Sequence, residues 1–306
     1  SHFLTYMDKL LDAKITDSGV FEIDIVPSNE SFISSLESQD YMYSLSQLSP
    51  DGKCDFRING AIIGYANQTK NPEIVEEVLS SAETKLITLT ITEKGYCYLD
   101  QEGTLDWNNP SVSHDINTSE TPKSAVGVLA KALYSRYKNN LPVTVMSCDN
   151  VPENGKMLKK CVLQFTEKKY PEMLDWLKEN VAFPCTMVDR ITPGTSKEDI
   201  EKVEKEFGVE DKCAVHSESD MEWVIEDSKT TVIPDFASAG ALVVKDVKPY
   251  ELMKIRLLNG AHSALSYPSY MCNIKMVHEA ALDKDIRHFI RDGYMEEMTD
   301  TLSPVP

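Results

Sequence analysis

The densest set of chemically capable side chains lies in Tyr250–Tyr267 (YELMKIRLLNGAHSALSY), which carries Glu251, Lys254, Asn259 and His262. On an α-helix, at ~100° per residue, these four fall within an arc of roughly 140°, with Leu257 and Ala261 on another side. Each has chemical reach. A lysine withdrawn from water can accept a proton. An amide can hold a developing alkoxide, and an imidazole can orient or relay a proton. The same spacing also describes a solvated polar stripe, the commoner use of such a face.

A second set follows an apolar strand pattern and opens a helix pattern: Ser147-Cys148-Asp149-Asn150-Val151-Pro152-Glu153-Asn154-Gly155. Asp149, Asn150 and Asn154 are expected to cap that helix. Asn150 could equally point its amide into a crevice. Cys148 ends an apolar strand with no histidine close by in the sequence, so it reads as a packed thiol. A third set, PCTMVDRITP (184–193), holds Val188, Asp189 and Arg190, with an ion pair or a fixed turn as the plain reading. The histidines at 2, 114, 216, 262, 278 and 288 show no H-x-x-x-H spacing, so no metal site is expected.

These residues need elements to hold them. Phe3, Leu4, Met7, Leu10 and Leu11 recur at helical spacing, so the sequence opens in an amphipathic helix. A strand is expected over 20–26 and a helix over 29–36. Residues 55–66 read as a strand or hairpin. Residues 72–82 read as a helix led by a proline, and KLITLTIT (85–92) as a β-branched buried strand. A long helix over 123–138 precedes a buried strand over 143–148. Helices over 154–165 and 171–179 and a short strand over 185–189 follow. Strands alternating with helices imply βαβ units and a mostly parallel sheet, which binds ligands beyond the carboxyl ends of its strands. After about residue 245 only helical patterns appear. The expected organisation is therefore a Rossmann-like α/β domain over 1–245 and the beginning of an all-helical domain over 246–306.

With 306 residues the chain can bury a sizeable core. Its 31 Lys+Arg against 49 Asp+Glu give a net charge of −18, which argues against nucleic acid or an anionic membrane as partner. Seven cysteines, an odd number without C-x-x-C spacing, argue against a disulfide framework or a zinc knuckle and point to a reducing compartment, the cytoplasm. No apolar run approaches the ~20 residues of a membrane span, and the first residues do not pattern as a signal peptide. The partner expected is a small molecule. The sequence fixes no oligomeric state, and a monomer is compatible with it.

The blocks TLTITEKGY (88–96), SCDNVPENG (147–155), PCTMVDRITP (184–193), W-x-I-E-D (223–227) and YELMKIRLLNGAHSALSY (250–267) resemble the mannitol dehydrogenase family. These are polyol-specific long-chain dehydrogenases that include fructuronate and tagaturonate reductases. Several long blocks in order are more specific than any one motif, and K-x(4)-N-x(2)-H is the family's active-site pattern. The resemblance implies hydride transfer between NAD or NADP and a polyol or ketose without a metal. It implies Lys254 as general acid/base, Asn150 and Asn259 as holders of the reacting oxygen, and His262 as a hydrogen-bond partner of the substrate. Glu251 would lie on the proton path, and Val188 and Asp189 on the nicotinamide side. Family members begin with a strand and a G-x-G-x-F turn and continue past the last residues here. The 13 glycines form no G-x-G pair, so the first strand and phosphate turn are expected to be missing and NAD(H) binding by these 306 residues to be weak. Two other readings stay open: a hexuronate reductase, and an inactive fragment or non-catalytic α/β binding module.

Overall fold

A computed structural model describes every residue except 1, 100, 102, 228–231, 304 and 306. The chain folds as two compact units, Ser1–Lys245 and Asp246–Pro306.

The first unit opens with α1 (His2–Asp12), which buries Leu4, Tyr6, Met7 and Leu10 along one face. Next come β1 (Val20–Asp24) and α2 (Glu30–Ser38), whose cap is Asn29, accepting from the Phe32 amide. The run over 55–66 is neither one strand nor one hairpin. Two strands, β3 (Cys54–Asn59) and β4 (Ile62–Asn67), occupy it, and a further strand, β2 (Tyr43–Leu48), precedes them. The β3 strand turns back antiparallel on β2, while β4 runs parallel to β1. The sequence pattern hid β2 because it buries polar residues, Ser44, Ser46 and Gln47. A distant carboxylate makes this tolerable: Asp211 accepts both the amide and the hydroxyl of Ser44 at 2.6 Å.

The strands nearest the candidate residues form a parallel set. After α3 (Pro72–Ser80), β5 (Leu86–Leu89) pairs with β8 (Val143–Ser147), which pairs with β9 (Val181–Ala182). The β5 strand is shorter than the expected 85–92: Thr92 has φ +60° and starts a single helical turn, α4 (Thr92–Gly95). Between β5 and β8 lie the short hairpin β6 (Tyr98–Leu99) and β7 (Thr104–Leu105), then α5 (Pro110–Asn117) and α6 (Ala125–Lys138). Two further helices, α7 (Asn154–Lys169) and α8 (Leu174–Asn180), follow β8. Ile87, Leu89 and Val145 of the sheet share one core with Leu129 and Leu133 of α6 and with Leu158, Val162 and Phe165 of α7. Each such side chain contributes about 1.5–3 kcal/mol by leaving water.

Arg136 fixes where this sheet begins. Its guanidinium, 1% exposed, donates to the carbonyls of Leu79, Ser81 and Thr84 before β5 and of Leu141 and Pro142 before β8. The rest of the unit comprises β10 (Thr186–Asp189), α9 (Lys197–Phe207), β11 (Val215–Glu218), β12 (Glu222–Glu226) and β13 (Leu242–Val244). Here β10 is antiparallel to β12, which is parallel to β13, and β11 is parallel to β2. Five of the eight strand pairings among the described residues are parallel, consistent with a Rossmann-like α/β unit. A second core gathers Tyr6, Leu45, Met146, Trp223 and Phe236.

In the second unit the described residues form only helices: α10 (Lys248–Met253), α11 (Gly260–Met271), α12 (Val277–Leu282), α13 (Lys284–His288) and α14 (Glu296–Thr299). Two π-helical segments, Lys254–Asn259 and Phe289–Met295, interrupt them. Leu265, Ala280 and Ile286 form its small core. No helix among the described residues is long and apolar enough to cross a membrane.

Candidate active site

In the first unit Asn150 follows the ends of β5 and β8, while Val188 and Asp189 lie in β10, which pairs with β12. Leu89 and Ser147 are register partners, and the Asp149 carboxylate spans the two turns beyond them. It accepts the Ile91 amide at 3.0 Å, the Thr92 amide at 2.9 Å and the Tyr96 hydroxyl at 2.6 Å. Tyr96 is buried, and its hydroxyl also meets Ser147 Oγ at 2.6 Å. Burial, and then the bond to Asp149, push its ionisation above the ordinary phenol range, so it stays a donor.

The expected capping of α7 by Asp149, Asn150 or Asn154 is not what forms. The cap position is Glu153, at φ +47° and without a side-chain cap bond. Asp149 is committed to the 91–96 turn instead. Asn154 lies inside the first helical turn, fully buried, and works as a clamp. Its Nδ2 donates to Ser147 O and Asp149 O at 3.1 Å and to Thr186 Oγ1 at 3.0 Å, and its Oδ1 accepts the Thr186 amide at 2.9 Å. Thr186 Oγ1 in turn donates to Ser147 O at 2.6 Å. The start of β10 is thereby locked to the end of β8. Gly155 permits this approach, since a Cβ there would stand 2.4 Å from Pro184 O and 2.7 Å from Cys185 N.

Asn150 emerges from this frame exposed and lines a cavity of about 440 Å³ with Glu93, Tyr98, Lys156 and Lys160. Burial pushes the Cys148 thiol up to about 12, so it is a packed, protonated thiol and no nucleophile. Val188 and Asp189 are half-buried, in register with Trp223 and Glu222. Burial, and then the charge of Asp189, raise the Glu222 carboxyl above the usual range. Arg190 fixes the turn by donating to Thr5 Oγ1 at 2.8 Å and Ser217 Oγ at 2.5 Å.

In the second unit the four candidates differ in exposure. Glu251 and Lys254 are buried, at 9% and 8% exposure. Asn259 is half-buried and His262 exposed. The regular-helix geometry expected for them fails between Lys254 and Asn259. At α pitch those two, five residues apart, would point about 140° from each other. The segment is π-helical, with the Gly260 amide bonded to Ile255 O, five residues back. An i→i+5 pitch completes roughly one turn in that interval and returns Asn259 toward the face of Lys254.

Sequence reasoning missed Tyr96, Thr186, the clamp role of Asn154 and the π pitch. Tyr96 stood at the end of TLTITEKGY, and only its bond to Asp149 gives it meaning. Among the described residues no group of three or more His, Cys, Asp or Glu is placed to hold a metal ion. All seven cysteines are free thiols.

Comparison with known proteins places both units. Residues 5–234 match the mannitol dehydrogenase Rossmann domain, and residues 246–306 match the mannitol dehydrogenase C-terminal domain. The chain is 36% identical to D-mannonate oxidoreductase of Escherichia coli (strain K12), over 99% of its own length and 63% of that protein. It is 35% identical to a mannitol 2-dehydrogenase of Phaeosphaeria nodorum, over 100% of its own length and 55% of the relative. Among solved structures, the Pseudomonas fluorescens mannitol 2-dehydrogenase ternary complex with NAD and D-mannitol superposes with a TM-score of 0.90 at 34% identity, covering 100% of this chain and 62% of that one. The chain thus spans less than two thirds of the length of these relatives.

Proposed function

This chain belongs to the mannitol dehydrogenase family, and on that premise we propose that it serves an NAD(P)-dependent polyol dehydrogenase of the mannitol/fructose type. The observation that carries the reading is the burial of Lys254 beside Glu251 on the one stretch of helix whose pitch turns Asn259 toward the lysine. A carboxylate and an amine withdrawn together from water suit proton transfer better than a solvated stripe does.

In this reading Lys254 takes the hydroxyl proton of the secondary alcohol during oxidation and returns it during ketose reduction. Asn150 and Asn259 donate to the oxygen as it gains alkoxide character, a term worth roughly 3 kcal/mol per donor. His262 holds a neighbouring substrate hydroxyl, and Glu251 passes the lysine's proton onward. NAD or NADP, when bound, supplies the hydride acceptor. What supports its nicotinamide end is the parallel pair β5 and β8, which finish side by side, and the β10 strand, whose start is tied to the end of β8 and which carries the apolar Val188 and the half-buried Asp189. Residues 1–306 carry no G-x-G turn, and no phosphate contact is assigned to them. The seven free thiols suit a reducing compartment, and on that ground we assign the enzyme to the cytoplasm.

A second reading, reduction of a hexuronate, draws on the 36% identity to D-mannonate oxidoreductase. Turnover on a panel of polyols, ketoses and hexuronates decides between them. The mechanistic test is the pH–rate profile of the enzyme and its Lys254→Ala variant. Polyol oxidation uses the amine as proton acceptor and ketose reduction uses it as proton donor, so the two directions should depend on pH in opposite senses. Lys254→Ala should cost about 10²-fold or more in turnover and leave cofactor binding nearly unchanged. Near-normal turnover with an unaltered pH profile would remove Lys254 from the mechanism.

A further inference from the structure

The π-helical turn between Lys254 and Asn259 needs something to hold it. In an α-helix the carbonyl of Arg256 would accept the amide of Gly260. Here that amide goes to Ile255 O instead, and Arg256 O loses its ordinary donor. The hydroxyl of Tyr294 replaces it, donating to Arg256 O at 2.9 Å. Tyr294 sits in the second π-helical segment, Phe289–Met295, and is half-buried. Its phenol lies directly over Gly260: a Cβ built there would stand 1.9 Å from the Tyr294 oxygen and 3.1 Å from Cζ. The glycine makes the space, and the tyrosine fills it and bonds the displaced carbonyl. The Arg256 side chain extends the attachment by donating to Thr301 O at 2.5 Å and Thr301 Oγ1 at 3.0 Å.

We propose that Tyr294, seated on Gly260 and bonded to Arg256 O, is a positioning residue that holds the Lys254–Asn259 turn at π pitch and so keeps the Asn259 amide on the face of Lys254. The proposal rests on the assignment of Lys254 and Asn259 to the reaction. Without the lock, the helix gains by reverting to α bonding, because each carbonyl then recovers an i+4 amide. Reversion swings Asn259 away from the lysine by most of a right angle. The amine stays where it is, so the loss falls on stabilisation of the oxygen and not on proton transfer.

The test compares the enzyme, Tyr294→Phe, Asn259→Ala and the double variant, on one polyol that the enzyme turns over. Tyr294→Phe keeps the ring and loses only the donor. It should lower kcat about 3- to 10-fold, the range for one net hydrogen bond. The pH profile and the affinity for cofactor, titrated by fluorescence, should stay as they are. Amide hydrogen exchange at Gly260 and Ala261 should depart from the wild-type rates even in the absence of ligands, because reversion moves the Gly260 amide from Ile255 O to Arg256 O. In the Asn259→Ala background the same change should cost nothing further, because Tyr294 acts through Asn259. Gly260→Ala, which expels the phenol, should reproduce the Tyr294→Phe behaviour.

Wild-type kcat and exchange in Tyr294→Phe would overturn the lock. So would losses that multiply fully in the double variant while Asn259→Ala alone is damaging. If Asn259→Ala and Lys254→Ala both turn over normally, the assignment of the reaction falls and the lock's catalytic role falls with it. The exchange data would still report whether Tyr294 holds the turn.

Discussion

At the scale of single residues, the frame of the candidate site is built from side chains with no remaining freedom. Asp149 serves two backbone amides and one phenol, and Asn154 serves a strand end, a turn and a neighbouring strand. His114 shows the same economy with a titratable group. Its Nδ1 meets Asp115 Oδ1 at 2.9 Å and its Nε2 meets Glu120 Oε2 at 3.2 Å. Asp115, in turn, accepts the Lys123 and Ser124 amides ahead of α6. The bonds to Asp115 and then Glu120 hold the imidazole's proton more tightly than usual. Because the folded value is the higher one, the stabilisation is fully present below the unfolded value of about 6.5. It is lost as pH rises through the folded value. Melting temperature should therefore decline across that window, and His114→Gln should flatten the decline. An identical slope in wild type and variant would exclude the pair as its source.

At the scale of elements, the sheet edge is placed by the starts of its strands as much as by their ends. Arg136 on α6 gathers five carbonyls from the approaches to β5 and β8. Lysine, a point charge with three donors, cannot serve five acceptors spread in a fork. Arg136→Lys should destabilise the protein by about 1–3 kcal/mol, since at least two part-buried carbonyls lose their donors. Urea unfolding would read this as a lower midpoint at unchanged slope, and an unchanged midpoint would show that water reaches those carbonyls. The helices were the readable elements. Leu4, Met7 and Leu10 announce α1 by spacing alone, and Asn29 announces α2 by its capping side chain. The β2 strand was unreadable, because its serines look like a loop until Asp211, 167 residues away, is brought to Ser44.

At the scale of the whole molecule, charge is the dominant feature. With 49 acids against 31 bases, the folded chain confines a net −18, and compaction works against that repulsion. Added salt should relieve it over a Debye length of about 10 Å at 0.1 M. The expected outcome is a melting temperature that climbs with sodium chloride before levelling. A falling curve would mean that paired charges such as Arg57 with Asp8 and Asp12 outweigh the repulsion. The lysines beside Asn150, Lys156 and Lys160, are balanced there by Glu93 and Glu153, and Lys156 pairs with Glu153.

What the sequence determined by itself is what local chemistry determines. Periodicity set the helices, β-branched runs set β5 and β8, and the order of residues in Tyr250–Tyr267 put Glu251, Lys254, Asn259 and His262 on one helical stretch. The family resemblance, carried by blocks that stand in the primary sequence, was also readable there. Tertiary structure decided which partners these residues have. Asp149 turned from capping its own helix to holding residues 91–96, and Asn154 from a cap to a clamp on Thr186. The helix that carries Lys254 changed pitch where Gly260 met Tyr294. In each case the deciding hydrogen bond closes a loop of some 30 to 60 residues. The sequence of one segment carries no record of a donor that only folding brings within 3 Å.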